Sequence, residues 1–363
     1  MSEPAIAPSF REQFPVLERL AYMNAGTEGP VPQAVEDAVR ARVHLDLTEG
    51  RAGGAYFDDV MELAALTRAG YGTAMGADPS EVALTGSTTY GVNTVLAGLP
   101  LSAGEEILTS DQEHPGVLVP LRRAQAVYGV RVRVVPFAEL PGEVGAGTRL
   151  VACSHVSWVG GEVMDVAALR NTGAPILLDG AQALGAIPVD VHALGVDYYA
   201  CSGQKWMCGP EGSGALYVRA DRLDELEPPF PSYMTVADHE APLDSMLAQG
   251  TARLDDGFPS AVRSTWALAS IGVLAGAGWA WVHERAAAGA EQLAELLKGR
   301  GHEVAPRGRS TLVAWKSADA DADVTRLRAE GIVVRSIPSA GLVRASIGAW
   351  TSEEEIHRLV ELA

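Results

Sequence analysis

The stretch from Ile176 to Arg219 constrains what this chain can fold into more than any other. It holds two short apolar runs, ILL at 176–178 and VDYYA at 196–200, and each stops abruptly at polar residues. Short runs bounded in this way suit strands buried on both faces of a parallel sheet. In open sheets of that kind the ligand lies beyond the carboxyl ends of the strands. The first run delivers Asp179 and then Gln182; the second delivers Ser202, Gly203, Gln204 and Lys205, followed by Trp206 and a turn rich in Gly and Pro. A carboxylate and an amine are therefore expected to face one crevice.

That pairing has a chemical use. A lysine amine can form a Schiff base with pyridoxal phosphate (PLP), and an aspartate can keep the pyridine nitrogen protonated so that the ring acts as an electron sink. Polar residues at strand ends are also ordinary in any α/β protein, so the pairing alone leaves both readings open. The surrounding words, DGAQALG at 179–185 and SGQKWMCGPEGSGALYV at 202–218, resemble the lysine region of the class V aminotransferases. That family includes cysteine desulfurases, isopenicillin N epimerase-like proteins and cysteine/cystine C–S lyases. The resemblance runs from about Asn24 to the C-terminus. It implies an α/β protein of the fold type I PLP-dependent transferases, with a seven-stranded, mostly parallel sheet in a large domain and a smaller α+β C-terminal domain. Residues 1–23 are expected to be an arm packed on the small domain, 24–255 the large domain and 256–363 the small one.

The length of 363 residues agrees with two domains. Twenty-eight basic against 46 acidic residues give a net charge of −18, which argues against nucleic acid or an anionic membrane surface as partner. The three cysteines, Cys153, Cys201 and Cys208, form neither a metal-ligand spacing nor an even disulfide set, and a reducing cytoplasm suits them. The opening MSEPAIAPSFREQF has no apolar core of signal-peptide length. Ser264 to His283 carries no formal charge and is long enough to span a bilayer, but it is built largely of Ala, Gly, Ser and Trp. It reads as one buried helix at an interface, with Gly272 and Gly276 admitting a neighbouring backbone.

Along the chain, Phe10, Phe14, Leu17 and Leu20 sit at helical spacing in the arm. Strands are expected near 82–86, 105–110, 131–137, 149–154, 175–179, 196–201 and 213–218, with helix-like stretches between them. The strand that begins EEILTS is read as running to His114. GSGALYVR, joined by a short turn, is the candidate for the one antiparallel strand that the family carries. VALTG followed by Ser87, Thr88 and a helix start forms an anion site from free amide hydrogens and the positive helix end; a cap with nothing bound gives the same pattern. The Pro-rich PPFPSYMTVADHEAPLD is read as a loop over the site.

The resemblance supplies roles residue by residue. Lys205 is the Schiff-base lysine and moves protons at the substrate α-carbon, Asp179 pairs the pyridinium nitrogen, and Gln182 hydrogen-bonds the ring's 3-oxygen. His114, in EHPG, matches the residue that stacks on the ring. Ser87, Thr88, Ser202 and Gln204 match phosphate contacts, with Gln204 standing where desulfurases usually have His. Arg344 resembles the arginine that grips the substrate carboxylate in a bidentate pair. Arg335 is a candidate to join it, and Asn24 to line the substrate pocket. Trp158 stands where many desulfurases have Asn. Phe258 stands where they have a Thr that a partner subunit contributes to the phosphate site.

A cysteine desulfurase needs a thiol on a loop just before the carboxylate arginine. Here that loop is short, Ser336 to Leu342, and no cysteine follows Cys208. The expected activity is thus PLP-dependent cleavage of the C–S bond of cystine, cysteine or an S-substituted cysteine. A class V aminotransferase or amino-acid epimerase is the alternative, and an inactive PLP-binding protein the third. The expected partners are a small amino-acid substrate and, by family habit, a second copy of the chain.

Overall fold

The computed structural model describes residues 8–363, so the first seven residues of the expected arm lie outside it. A short helix α1 (Pro8–Arg11) and strand β1 (Ala21–Tyr22) precede two long helices, α2 (Gln33–Thr48) and α3 (Gly54–Met75). An alternation follows: β2 (Val82–Thr85), α4 (Thr88–Gly98), β3 (Glu106–Ser110), α5 (Pro115–Tyr128), β4 (Arg131–Val135) and α6 (Leu140–Glu143). It continues with β5 (Thr148–Ser154), α7 (Val166–Arg170), β6 (Ile176–Asp179), α8 (Val191–Leu194), β7 (Tyr198–Ser202) and β8 (Gly214–Val218).

These seven strands form one sheet in the order β2-β8-β7-β6-β5-β3-β4. Only β8 runs antiparallel to its neighbours, as expected of GSGALYVR. No helix lies between β7 and β8 to make the crossover that a parallel return would use. Every residue of β6, β7 and β8 is buried, which explains why their sequences are apolar without alternation. Asp179 and Ser202 are the last residues of adjacent parallel strands.

One strand is shorter than its sequence suggested. β3 ends at Ser110, and His114 instead caps α5. Pro115 lacks an N–H for a sheet ladder but suits the first helical position. The His114 ring Nδ1 accepts the Gly116 N–H at 3.0 Å, which closes the cap.

Beyond β8 the chain forms α9 (Ala261–Ala277), α10 (Trp279–Gly299), β9 (Leu312–Lys316), α11 (Ala320–Ala329), β10 (Ile332–Val333), β11 (Arg335–Ile337), β12 (Leu342–Ser346) and α12 (Glu353–Leu362). β11, β12 and β9 make an antiparallel sheet with β12 in the middle. The stretch from Ser264 to His283 is not one helix: it breaks at Gly278, where φ is +88°, and α9 meets α10 at 80°. Among the described residues no single helix is long and apolar enough to cross a membrane, although this bent pair is by length and composition. α9 packs against α2 and α3. Open space faces Gly272 and Gly276, so no backbone among the described residues uses them for close approach.

The arm is tied to the C-terminal elements and to the core under the large sheet. β1 pairs with β10 in parallel, and Arg11 forms an ion pair with Glu355 of α12 at 2.7 Å. Phe10 packs edge-on against Trp281 and Phe14 against Trp350, with ring centroids 5.1 and 5.3 Å apart. Both phenylalanines are buried in the core that also holds residues of the large sheet; burial of each is worth about 1.5–3 kcal/mol. The Pro-rich segment lies near α3 and α4: Tyr233 meets Phe258, Phe258 meets Phe57, and Phe230 reaches Tyr90.

Candidate active site

The crevice at the carboxyl ends of β6 and β7 is assembled by three turns. Ser87 caps α4, accepting the Tyr90 N–H at 3.1 Å. The Thr88 N–H, one of the free donors of the first turn, is 2.9 Å from Ser202 Oγ, and the Thr88 and Ser202 hydroxyls lie 2.7 Å apart. The start of α4, with its Thr88 hydroxyl, and the Ser202 hydroxyl at the end of β7 therefore converge on one spot, the arrangement that suits a phosphate. Gln204, two residues on, has a buried side-chain Oε1 without a partner. The Gly29 N–H donates to the Gln204 carbonyl at 2.7 Å, and a Cβ at Gly29 would lie only 2.1 Å from the Lys205 carbonyl. Glycine there lets the turn at 24–29 lie directly on the lysine loop.

Asp179 is buried, and its Oδ1 accepts the Ala181 N–H at 2.8 Å. Burial raises its carboxyl above the usual range, while the nearby Lys205 charge and the Ala181 N–H act in the opposite direction. Burial, with smaller contributions from the Arg344 and Arg335 charges, brings the Lys205 amine down to about 8 against the pull of Asp179. A substantial neutral fraction at physiological pH is what an amine needs to act as a nucleophile or base.

Gln182 sits between the lysine loop and the turn at 24–29. Its Nε2 donates to the Gly26 carbonyl at 2.7 Å and its Oε1 accepts the Trp206 N–H at 3.1 Å. One amide hydrogen is left for another acceptor. His114 faces the same crevice. Burial, then the charges of Lys205, Arg335 and Arg344, bring its ring down to about 4, so it is neutral. Because Nδ1 accepts the Gly116 N–H, the proton is carried on Nε2. The ring meets Trp158 edge-to-face, with centroids 5.1 Å apart.

On the other wall, Arg344 in β12 is fully buried. Its Nη1 donates to the Trp158 carbonyl, while among the described residues Nε and Nη2 have no partner; nor does the buried hydroxyl of Ser346, two residues on along the strand. Burial and the neighbouring Arg335 hold the Arg344 guanidinium near 9, far below its ordinary value. Arg335 lies over the Trp158 ring and donates to the Thr27 hydroxyl at 3.2 Å, and Thr27 in turn donates to Asn24 Oδ1 at 2.9 Å. Asn24 thus holds the turn at 24–29 together through its side chain, and its carbonyl accepts the Thr27 and Glu28 N–H groups. A Cβ at Gly26 would meet Ser346 Oγ, Gln182 Oε1 and Arg344 Nη2 within 3.1 Å, which places the three groups around one point.

The sequence-based site residues therefore fall into one crevice. Three contributors were not visible in the sequence: Thr27, which links Asn24 to Arg335; Trp206, which orients Gln182; and Glu113, a buried carboxylate beside His114. Glu113 and Trp206 carried a signal, each its place next to a candidate site residue; Thr27 carried none. The cysteines are all buried and free, and burial pushes their thiols up, that of Cys201 to about 12. Among the described residues no His, Cys, Asp and Glu cluster is arranged to hold a metal ion.

The residues fit PLP: a helix start and hydroxyls for phosphate, a depressed lysine amine, a buried carboxylate and a neutral imidazole. The family model described as Aminotransferase class-V matches residues 22–359. An isopenicillin N epimerase of Amycolatopsis lactamdurans is 32% identical over 385 aligned positions, covering 97% of this chain and 96% of that protein. A cysteine desulfurase of Klebsiella pneumoniae is 34% identical over 248 positions, which cover 60% of this chain and 59% of the desulfurase. Among solved structures, the cystine C–S lyase C-DES in complex with cysteine persulfide superposes with a TM-score of 0.91 at 28% identity, covering 96% of this chain and 99% of that one. A C-DES variant with glycine covalently linked to its PLP cofactor gives the same TM-score and identity over 97% of this chain and 98% of that one. With its sheet order, its crevice and these matches, the chain belongs to the class V aminotransferase family of PLP-dependent enzymes.

Proposed function

We propose that this enzyme cleaves the C–S bond of cystine, cysteine or an S-substituted cysteine by β-elimination. The observation that carries this reading is the state of the thiols. All three cysteines are buried, with thiols raised by burial, and the β11–β12 connection is a tight turn at Pro338–Gly341 without a cysteine. A sulfur atom taken from substrate has no enzyme thiolate to receive it, so it leaves with the substrate fragment.

In this reading Lys205 would be the attachment point, Asp179 would pair the pyridine nitrogen, His114 would pack on the ring, and Ser87, Thr88, Ser202 and Gln204 would hold the phosphate. Gln182 offers its remaining amide hydrogen to the ring oxygen. When bound, PLP supplies an electron sink for negative charge that develops at the substrate α-carbon. The open Nε–Nη2 edge of Arg344 takes the substrate carboxylate, with Arg335 beside it and Asn24 fixing the turn that covers both. Lys205, held near 8, removes the α-proton through its neutral amine. The Cβ–S bond then breaks, the sulfur carries off the electron pair as thiolate or persulfide, and the released 2-aminoacrylate hydrolyses to pyruvate and ammonia. Formation of pyruvate from cystine, followed with a coupled lactate dehydrogenase assay, tests the reading; no pyruvate from any cysteine derivative overturns it.

The full-length likeness to an isopenicillin N epimerase favours a second reading, in which the α-carbon is reprotonated instead of losing a β-substituent. Exchange of the α-hydrogen with deuterated solvent, without pyruvate, is its signature. We also propose a homodimer. Phe57, Met61, Tyr233, Met234 and Phe258 form an open apolar groove, and a second copy of this chain would cover it. A monomer mass in light scattering at micromolar concentration would remove that proposal.

A further inference from the structure

Glu113 is a carboxylate for which the reaction above has no use, yet it is buried at the centre of the crevice wall. It accepts hydrogen bonds from the hydroxyl of Ser110, the last residue of β3, and from that of Ser154, the last residue of β5, at 2.5 Å. Ser154 lies directly across from Asp179 in the β5–β6 pairing. The next residue along the chain is His114. One carboxyl thus ties together two strand ends, with the ring-facing imidazole attached to its own backbone and the Asp179 carboxylate on the adjoining strand.

We infer that Glu113 is a positioning residue: its bridge between β3 and β5 holds the start of α5, and with it His114, against the strand ends that carry Ser154 and Asp179, and its charge acts on Asp179. The inference rests on the PLP reading of Asp179 and His114 for its consequence, but the bridge itself belongs to the chain alone. The groups facing the carboxyl from each packed element are Ser110 on β3, the Ser154 hydroxyl and N–H and the Cys153 thiol on β5, and Asp179 on β6. Asp179 and the Cys153 thiol would both be anionic if ionised, and none of these groups is a cation. Burial therefore dominates over the three donors and lifts the Glu113 carboxyl to about 7.

The sign of the linkage is fixed by that direction. A carboxyl whose value is higher in the folded than in the unfolded protein binds more proton in the folded state, so its stabilising share is complete below the ordinary value near 4.5 and is lost as pH rises through about 7. Above that range an added negative charge beside Asp179 favours protonation of whatever Asp179 faces. Glu113→Gln keeps the shape and removes both effects.

The test has two arms. In the first, the melting temperature of apoprotein is followed from pH 5 to 8.5. The wild type should fall by several degrees relative to Glu113→Gln across pH 6–8; parallel curves overturn the inference whatever the cofactor does. In the second, the visible absorbance and circular dichroism of the PLP-loaded proteins are titrated over the same range. Glu113→Gln should move the spectral midpoint or weaken the induced dichroism that reports ring orientation. A variant that is less stable at every pH by the same amount, with an unchanged spectrum, is what a purely structural glutamate gives, and it overturns the inference. If Glu113→Gln does not fold, Ser154→Ala serves instead: it removes one donor, so the pH step in stability should move upward, and an unmoved step overturns the inference. A wild type that binds no PLP yet shows the step would overturn the cofactor reading and the consequence drawn from it, leaving the bridge.

Discussion

At the ends of β6 and β7 most of the polar groups around Lys205 have partners, whereas on β12 the Arg344 guanidinium keeps two nitrogens without one and Ser346 its hydroxyl. The first wall is made of caps and strand ends: Ser87 caps α4, Ser202 meets Thr88, and Asp179 accepts its own loop's N–H. Such bonds form as the chain folds and keep the site in shape with or without a ligand. The second wall holds a buried cation with no carboxylate paired to it among the described residues, in a protein of net charge −18 whose other buried arginines, Arg42 and Arg253, pair with Asp46 and Asp59 and with Asp224. A buried guanidinium left unpaired costs stability that an incoming anion restores. In the proposed reading the lysine wall holds the cofactor permanently and the arginine wall waits for the substrate.

The largest effect that separates the walls is expected from Lys205→Ala. It should abolish the borohydride-reducible PLP adduct and lower turnover on the order of 10³-fold or more. Lys298 and Lys316, the remaining lysines, are on α10 and β9 and are not in the crevice. A reducible adduct that persists in the variant would move the attachment point elsewhere.

Arg344→Met should act in two opposite directions. Substrate binding should weaken by about 2–5 kcal/mol, because the carboxylate loses its charge-assisted pair, while the cofactor stays bound. The apoprotein should become more stable, by about 1–4 kcal/mol, since an apolar side chain replaces an unpaired buried charge. Isothermal titration with substrate and thermal melts of the apoprotein check the two signs. A variant that is both destabilised and unchanged in affinity would erase the contrast between the walls.

A smaller effect concerns pH. The Lys205 amine is depressed to about 8, and only its neutral form attacks an aldehyde. Its neutral fraction grows about tenfold between pH 7 and pH 9, so the rate at which apoprotein captures PLP should rise about tenfold over that interval. His114, near 4, stays neutral throughout and contributes no step. Stopped-flow absorbance reads the rate, and a flat profile would mean that the amine is not the titrating group.

The same contrast explains what the sequence disclosed. The partnered wall follows local rules, so Asp179, Ser202, Lys205 and the Ser87–Thr88 helix start could be placed from apolar runs and the polar residues that end them. The unpartnered wall depends on long-range geometry. Arg344 was found by its resemblance, but the Arg335–Thr27–Asn24 chain joins residues 308 apart in sequence, and no local pattern marks it. The same limit applies to Glu113, whose burial is set by strand ends that come together only in the sheet. The break between α9 and α10 was missed because Gly278 lies in a stretch where Ala and Gly are everywhere. Only its positive φ distinguishes it from Gly272 and Gly276.

The smallest expected effect is the one that bears most directly on the reaction. If sulfur leaves with the substrate, the three cysteines are packing residues and their removal should leave turnover within about threefold of the parent, a change of less than 1 kcal/mol in the barrier. Cys153→Ala and Cys201→Ala take away buried thiols without introducing a hydroxyl that would need a partner. Cys208 has φ +54°, the left-handed region that disfavours side chains, so Cys208→Gly suits its backbone. The Cys208 carbonyl accepts from Ser270 at 2.7 Å and from Trp266 at 3.3 Å, contacts that a side-chain change leaves in place. The combined variant should melt lower, because buried volume is lost, while it still binds PLP and releases pyruvate from cystine. A variant that folds and carries PLP but no longer turns over would point to a thiol nucleophile after all. Cys208, three residues from Lys205 and in the same loop, would then be the first to restore.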